Sequence, residues 1–160
     1  KELPWGFVFL RPLGLRLIKM GRSCKMTNTE LYTFADGRNI LTIDGRLTKT
    51  QSLSLMDGAK NCAIVMDSSK IPTSAEEKVI LAHEVGHCET GAFYDENSLE
   101  LRSRCEYRAD KWAVKMLIPK DSLSQAFKSG ITRTWELAEH FGVTEEFILK
   151  ACRLYGFIDN

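Results

Sequence analysis

No apolar run in this chain approaches the roughly 20 residues that a membrane-spanning helix needs. No CxxC pair is present, so the usual structural zinc knuckle is excluded. The five cysteines, Cys24, Cys62, Cys88, Cys105 and Cys152, are odd in number and irregularly spaced. That does not suit a secreted disulfide framework. We read them as reduced thiols filling core space in a cytoplasmic protein. There is no internal repeat, no low-complexity segment, and no compact apolar region with a small-residue cleavage site of the kind a signal peptide has. A large net charge is also missing: the total is +1. Lys1, Arg11, Arg16, Lys19, Arg22 and Lys25 oppose only Glu2, so residues 1–25 carry +5 and the rest −4. A mildly acidic body argues against a broad nucleic-acid surface.

What remains is the profile of a soluble globular protein, 44% hydrophobic and 27% charged over 160 residues, which suits one domain. Met26 opens "MTNTELYTFADG" like a natural start. Residues 1–25 are therefore expected to be an extension or disordered arm, vector-derived or read from upstream. Residues 26–160 form the expected single domain. A basic membrane-surface arm is the weaker reading of 1–25, because Pro4, Pro12 and scattered arginines break its helical pattern.

Residues 30–67 look β-rich. Ser52–Met56 and Cys62–Asp67 flank an Asp57-Gly58 turn, which predicts a hairpin. A small antiparallel sheet should precede the helices, giving an α+β fold. Ser74 and Glu77 have capping-box spacing, with Pro72 upstream. A helix should run over 75–90 and stop at Gly91. A second should run over 98–118 and stop at Pro119. In it Cys105, Ala109, Trp112, Ala113, Met116 and Leu117 form one apolar stripe. A short helix follows in "PKDSLSQAFKSG". A helical hairpin over about 132–157 breaks at Gly142-Val143, with Thr144 as the cap of its last helix.

The chemistry concentrates in "EEKVILAHEVGHCETG". His83 and His87 are four apart and share one helix face, so both imidazoles can reach one ion. Glu84, turned about 100° from His83, is set beside the ion and can take a proton from a metal-bound water. This is the known His-Glu-x-x-His arrangement of zinc metalloproteases. Catalytic zinc needs a third protein ligand and an open position. "CEYRADKW" offers Glu106 and Asp110, again four apart and bordering the apolar stripe. Glu106 is placed to be the third ligand. Asp110 is placed to receive the other ring N–H of a ligand histidine, which fixes its tautomer. Taken alone, the two carboxylates would read as solvated groups partnered by Arg102, Arg104 and Arg108. Cys88, beside His87, reads as packing. Tyr94, Tyr107, Tyr155 and His140 are the side chains available to an oxyanion, and none is assigned that role.

Together, His-Glu-x-x-His and a later Glu-x-x-x-Asp resemble the gluzincin metallopeptidases. "EYRADKWAVKMLIP" resembles more closely the ImmA/IrrE-type metallopeptidases of bacteria and their phages. The pattern there is Glu-x-x-Ala-(Asn/Asp)-x-aromatic-Ala and then an apolar run ending in Pro, here Glu106, Ala109, Asp110, Trp112, Ala113 and Pro119. The resemblance covers about residues 30–157. Trp112 replaces the more usual Phe, and Arg108 stands where Glu is usual. The resemblance implies zinc ligation by His83, His87 and Glu106, and a general-base role for Glu84. It also implies cleavage of a helix-turn-helix repressor of a phage, mobile element or stress response. The expected partner is thus a protein substrate, with no direct nucleic-acid or membrane partner and no oligomeric state specified.

Two other readings stand beside it. "WELAEHFGVTEEFILKACRLY" fits a helix-turn-helix regulator, yet Glu145 and Glu146 would meet phosphates at the start of its recognition helix. A zinc-binding sensor or scaffold without turnover would use the same ligand residues.

Overall fold

The computed structural model describes residues 25–93 and 102–159. The expected arm (Lys25 apart), Cys24, Tyr94 and the expected start of the second long helix lie outside them. Lys25 Nζ donates to the Glu139 carbonyl at 2.8 Å.

The chain enters as a helix, α1, Asn28–Gly37, where β structure was expected. Its start is a complete capping box: Thr27 Oγ1 accepts from Glu30 N–H, and Glu30 Oε2 accepts from Thr27 N–H at 2.7 Å. Those bonds satisfy backbone donors that a helix start otherwise leaves open, and they outweigh the strand preference of Leu31-Tyr32-Thr33-Phe34.

Three strands follow: β1 Leu41–Asp44, β2 Ser52–Met56 and β3 Cys62–Met66. The β2–β3 hairpin forms as expected, with Met56 opposite Cys62 and Ser52 opposite Met66. The sheet, however, is mixed rather than antiparallel. Its order is β1-β3-β2, and β1 runs parallel to β3 with Leu41 opposite Ala63. The hairpin occupies one side of β3, so β1 pairs on the other side, where it runs parallel. β2 is therefore an edge strand. The strands alternate: Cys62, Ile64 and Met66 are buried, while Leu53 and Leu55 face outward.

Helix α2, Ser74–Thr90, packs on the inner sheet face. Its cap is Thr73, whose Oγ1 accepts from Glu76 N–H at 3.2 Å, one residue before the expected Ser74–Glu77 pair. Glu77 is engaged elsewhere: Tyr32 OH and Asn28 Nδ2 each donate to it at 2.8 Å. Asn28 Nδ2 also donates to the Ser74 carbonyl at 3.0 Å. Gly91, at φ 61°, ends the helix as expected. Near that end, Arg38 pairs with Glu89 at 3.5 Å.

Helix α3, Arg102–Leu117, crosses α2. Its stripe is buried at Cys105, Ala109, Ala113 and Leu117, with Trp112 half-buried against Phe34. α4 is Lys120–Lys128. α5, Thr134–Phe141, and α6, Glu145–Tyr155, make the expected hairpin, with Thr144 capping α6. Phe147, Ile148 and Ala151 seat α6 in the core that also holds Leu81, Val85, Val114 and Ile118.

The cysteines depart from expectation. Cys62 and Cys88 form a disulfide with Cα atoms 5.8 Å apart, inside the usual span for a bridge. The pairing is a tertiary event. It arises because α2 lays its last turn against the first residue of β3. Cys105 and Cys152 are free and buried, as expected of packing thiols. Among the described residues no helix is long and apolar enough to cross a membrane.

Candidate metal centre

The α2–α3 crossing is unusually close because Gly86 sits in it. A Cβ on Gly86 would stand 2.6 Å from the Ala109 carbonyl oxygen and 3.1 Å from Ala109 Cα. Ala109 lies between Glu106 and Asp110, so this contact brings both carboxylates over the face of α2 that carries His83 and His87.

His83 Nδ1 lies 2.9 Å from Asp110 Oδ1, and His87 Nδ1 lies 2.6 Å from the Ala92 carbonyl oxygen. A carbonyl can only accept, so His87 carries its proton on Nδ1; the ionised carboxylate of Asp110 imposes the same tautomer on His83. Both Nε2 atoms are then left as lone-pair acceptors, and they face each other at 3.0 Å. Glu106 Oε2 closes the triangle at 3.2 Å from His83 Nε2 and 3.8 Å from His87 Nε2. With both rings neutral, three acceptors converge without a donor and repel one another unless a cation, metal or proton, lies among them. Donors about 2.0–2.1 Å from a tetrahedral ion stand about 3.3 Å apart, and the three separations straddle that value. The donor set thus fits a metal ion, and these are the described residues whose geometry could hold one.

The electrostatics follow the same contacts. Burial alone would hold His83 in its neutral form. The hydrogen bond and charge of Asp110, helped by Glu84 and Glu106, more than offset this and raise its pKa above the ordinary 6.5. Burial likewise pulls the Asp110 carboxyl up, but the bonds from His83 and Lys150 outweigh it and hold the pKa below the usual range.

Glu84 is buried, and its Oε1 accepts from Ser52 Oγ of β2 at 2.5 Å. It shares a cleft of about 890 Å³ with His83, His87 and Glu106, walled by β2 and Phe93. The other Glu106 oxygen, Oε1, pairs with Arg102 Nε at 3.6 Å. The solvated-pair reading of this carboxylate is therefore half realised: one oxygen meets the arginine and the other meets the histidines.

The structure brings His83, Glu84, His87, Glu106 and Asp110 into one place. It does not bring Tyr107, Tyr155 or His140 to the cleft. Tyr155 OH donates to the Ile118 carbonyl at 2.8 Å, Tyr107 is exposed, and His140 packs edge-on to Phe141. Sequence reasoning missed three contributors. Ser52 and the Ala92 carbonyl carry no motif of their own. Lys150, whose Nζ donates to Asp110 Oδ2 at 2.7 Å, lies 40 residues away in the chain.

Residues 64–153 match a family model described as the IrrE N-terminal-like domain, of a peptidase family. The matched segment runs from within β3 to within α6 and holds all five predicted site residues, but not Ser52. No curated protein and no solved structure matches the chain.

Proposed function

The chain belongs to the IrrE N-terminal-like peptidase family, and from that membership we propose that it is a zinc-dependent endopeptidase acting on a protein substrate. The observation that carries the reading is the triangle of His83 Nε2, His87 Nε2 and Glu106 Oε2, with both Nδ1 atoms committed elsewhere. When bound, zinc supplies Lewis acidity, acidifying a coordinated water and polarising a carbonyl.

The chain's own residues do the rest. Asp110 and the Ala92 carbonyl hold the two rings in register. Ser52 holds one oxygen of Glu84, which leaves the other to take the proton of the attacking water and return it to the leaving amine. Among the described residues no strand pairs with the outer edge of β2, which lines the cleft. That edge suits an extended stretch of substrate, as in strand addition to a sheet.

We further assign the substrate as a helix-turn-helix repressor of a phage, mobile element or stress response, on the resemblance drawn from Glu106 to Pro119. That setting is cytoplasmic, where the Cys62–Cys88 bridge would be exposed to reduction. Metal analysis should find about one zinc per chain, lost in His83→Ala, as a three-ligand site requires. Co-expression with a helix-turn-helix repressor, sought first among the products of neighbouring genes, should give a cleavage product that Glu84→Gln abolishes while retaining zinc. Equal cleavage by Glu84→Gln and the parent would refute the general-base role. Zinc uptake without cleavage of any such repressor would favour the sensor or scaffold reading.

A further inference from the structure

Lys150 belongs to the C-terminal hairpin, well removed in sequence from the two helices that carry the site. Its Nζ nevertheless donates to Asp110 Oδ2 at 2.7 Å, while Asp110 Oδ1 accepts from His83 Nδ1 at 2.9 Å. The two bonds use different oxygens. A carboxylate held by one oxygen still turns about a broad, two-fold terminal torsion; one held by both has its plane fixed. Lys150 can do this because its backbone is fixed: Phe147, Ile148 and Ala151 on either side of it are buried in the core. Its stem crosses from α6 to α3 beside a groove shared with Lys111 and Arg153.

We propose that Lys150 is a positioning residue of the metal centre, acting through Asp110 to hold the His83 imidazole in the orientation that aims Nε2 at the ion. This rests on the zinc reading above. It makes α6 part of the site's support, so the helical hairpin has a task besides closing the core.

Lys150→Met keeps the stem and removes the bond. Simple charge arithmetic predicts that losing a nearby cation tightens binding of a dication. The positioning role predicts the opposite sign, a weakening of about tenfold, at the lower end of what lost supporting contacts to ligands cost. Zinc affinity is read by competition with a chromophoric chelator, alongside the thermal unfolding of the metal-free protein. The expected pattern has four parts. Lys150→Met binds zinc about tenfold more weakly with little change in metal-free unfolding. Lys150→Arg recovers most of the loss. Lys111→Met, which removes a neighbouring charge not bonded to Asp110, does not weaken binding. In an Asp110→Asn background, Lys150→Met adds nothing further. Parental affinity in Lys150→Met, or an equal loss in the Asp110→Asn background, overturns the proposal while leaving the metal centre standing. A parent that binds no zinc overturns both.

Discussion

Gly86→Ala tests the geometry of the centre without touching any donor atom. The new Cβ would lie 2.6 Å from the Ala109 carbonyl oxygen, about 0.8 Å short of where ordinary contact begins. The obstacle is backbone, so no rotamer relieves it, and α3 must move away by a similar distance. Two effects on stability oppose each other. Overpacking costs about 1–3 kcal/mol, and replacing glycine within a helix returns about 1 kcal/mol. The metal-free variant should therefore lose no more than about 2 kcal/mol. Metal binding should suffer more. Coordination tolerates shifts of about 0.2 Å, and the required movement separates Glu106 and Asp110 from both histidines. Affinity should drop tenfold or more, which removes about 1.4 kcal/mol from the stabilisation that saturating zinc confers. Denaturant unfolding of parent and variant, each with and without zinc, measures both quantities. If Gly86→Ala shows the parent's zinc-dependent increment, the close crossing does not set the donor geometry.

Other outcomes follow from the same contacts. Because the pKa of His83 is raised above 6.5, protons compete for its Nε2 from above that pH downward; zinc affinity, read by chelator competition, should decline as pH falls through this range. Without metal the shift acts the other way: its stabilising contribution is complete below pH 6.5 and is lost as pH rises through the folded value, so metal-free unfolding midpoints should fall as the solution is made alkaline in that window. Ser52→Ala should keep parental zinc affinity yet cleave about tenfold more slowly, the loss of one hydrogen bond to a charged group worth about 1.5 kcal/mol; parental cleavage would show that Ser52 does not orient Glu84. Reducing Cys62–Cys88, which are 26 residues apart, should cost about 3.5 kcal/mol by loop entropy, seen as a lower denaturant midpoint than in the oxidised protein; equal midpoints would contradict the pairing.

The parts legible from sequence are those governed by local rules. The course of α2 followed from Pro72 and Gly91, the hairpin from Asp57-Gly58, and the pairing of His83 with His87 and of Glu106 with Asp110 on single helix faces from four-residue spacing. Where two local rules competed, the outcome was harder to read. Thr27-x-x-Glu30 is itself a capping signature, yet the short apolar runs and turn signals that follow it read as β structure. Two such signatures overlap at the start of α2, and Tyr32 and Asn28 decide between them by occupying Glu77. What no local rule could supply are the long-range meetings: β1 beside β3, Cys62 with Cys88, Ser52 on Glu84 and Lys150 on Asp110. Each depends on how elements pack, and no residue spacing reports it.

The anchoring of α2 bears on which ions the site can select. Asn28 and Tyr32 hold its first turns, and Arg38, joined by the disulfide when it is oxidised, holds its last. A helix pinned at both ends cannot readily twist, so the spacing of His83 and His87 is a fixed dimension. Adjustment to ionic radius is left to Glu106, whose second oxygen is engaged by Arg102. Were a metal held there, an ion that wanted both carboxylate oxygens would compete with that arginine for one of them.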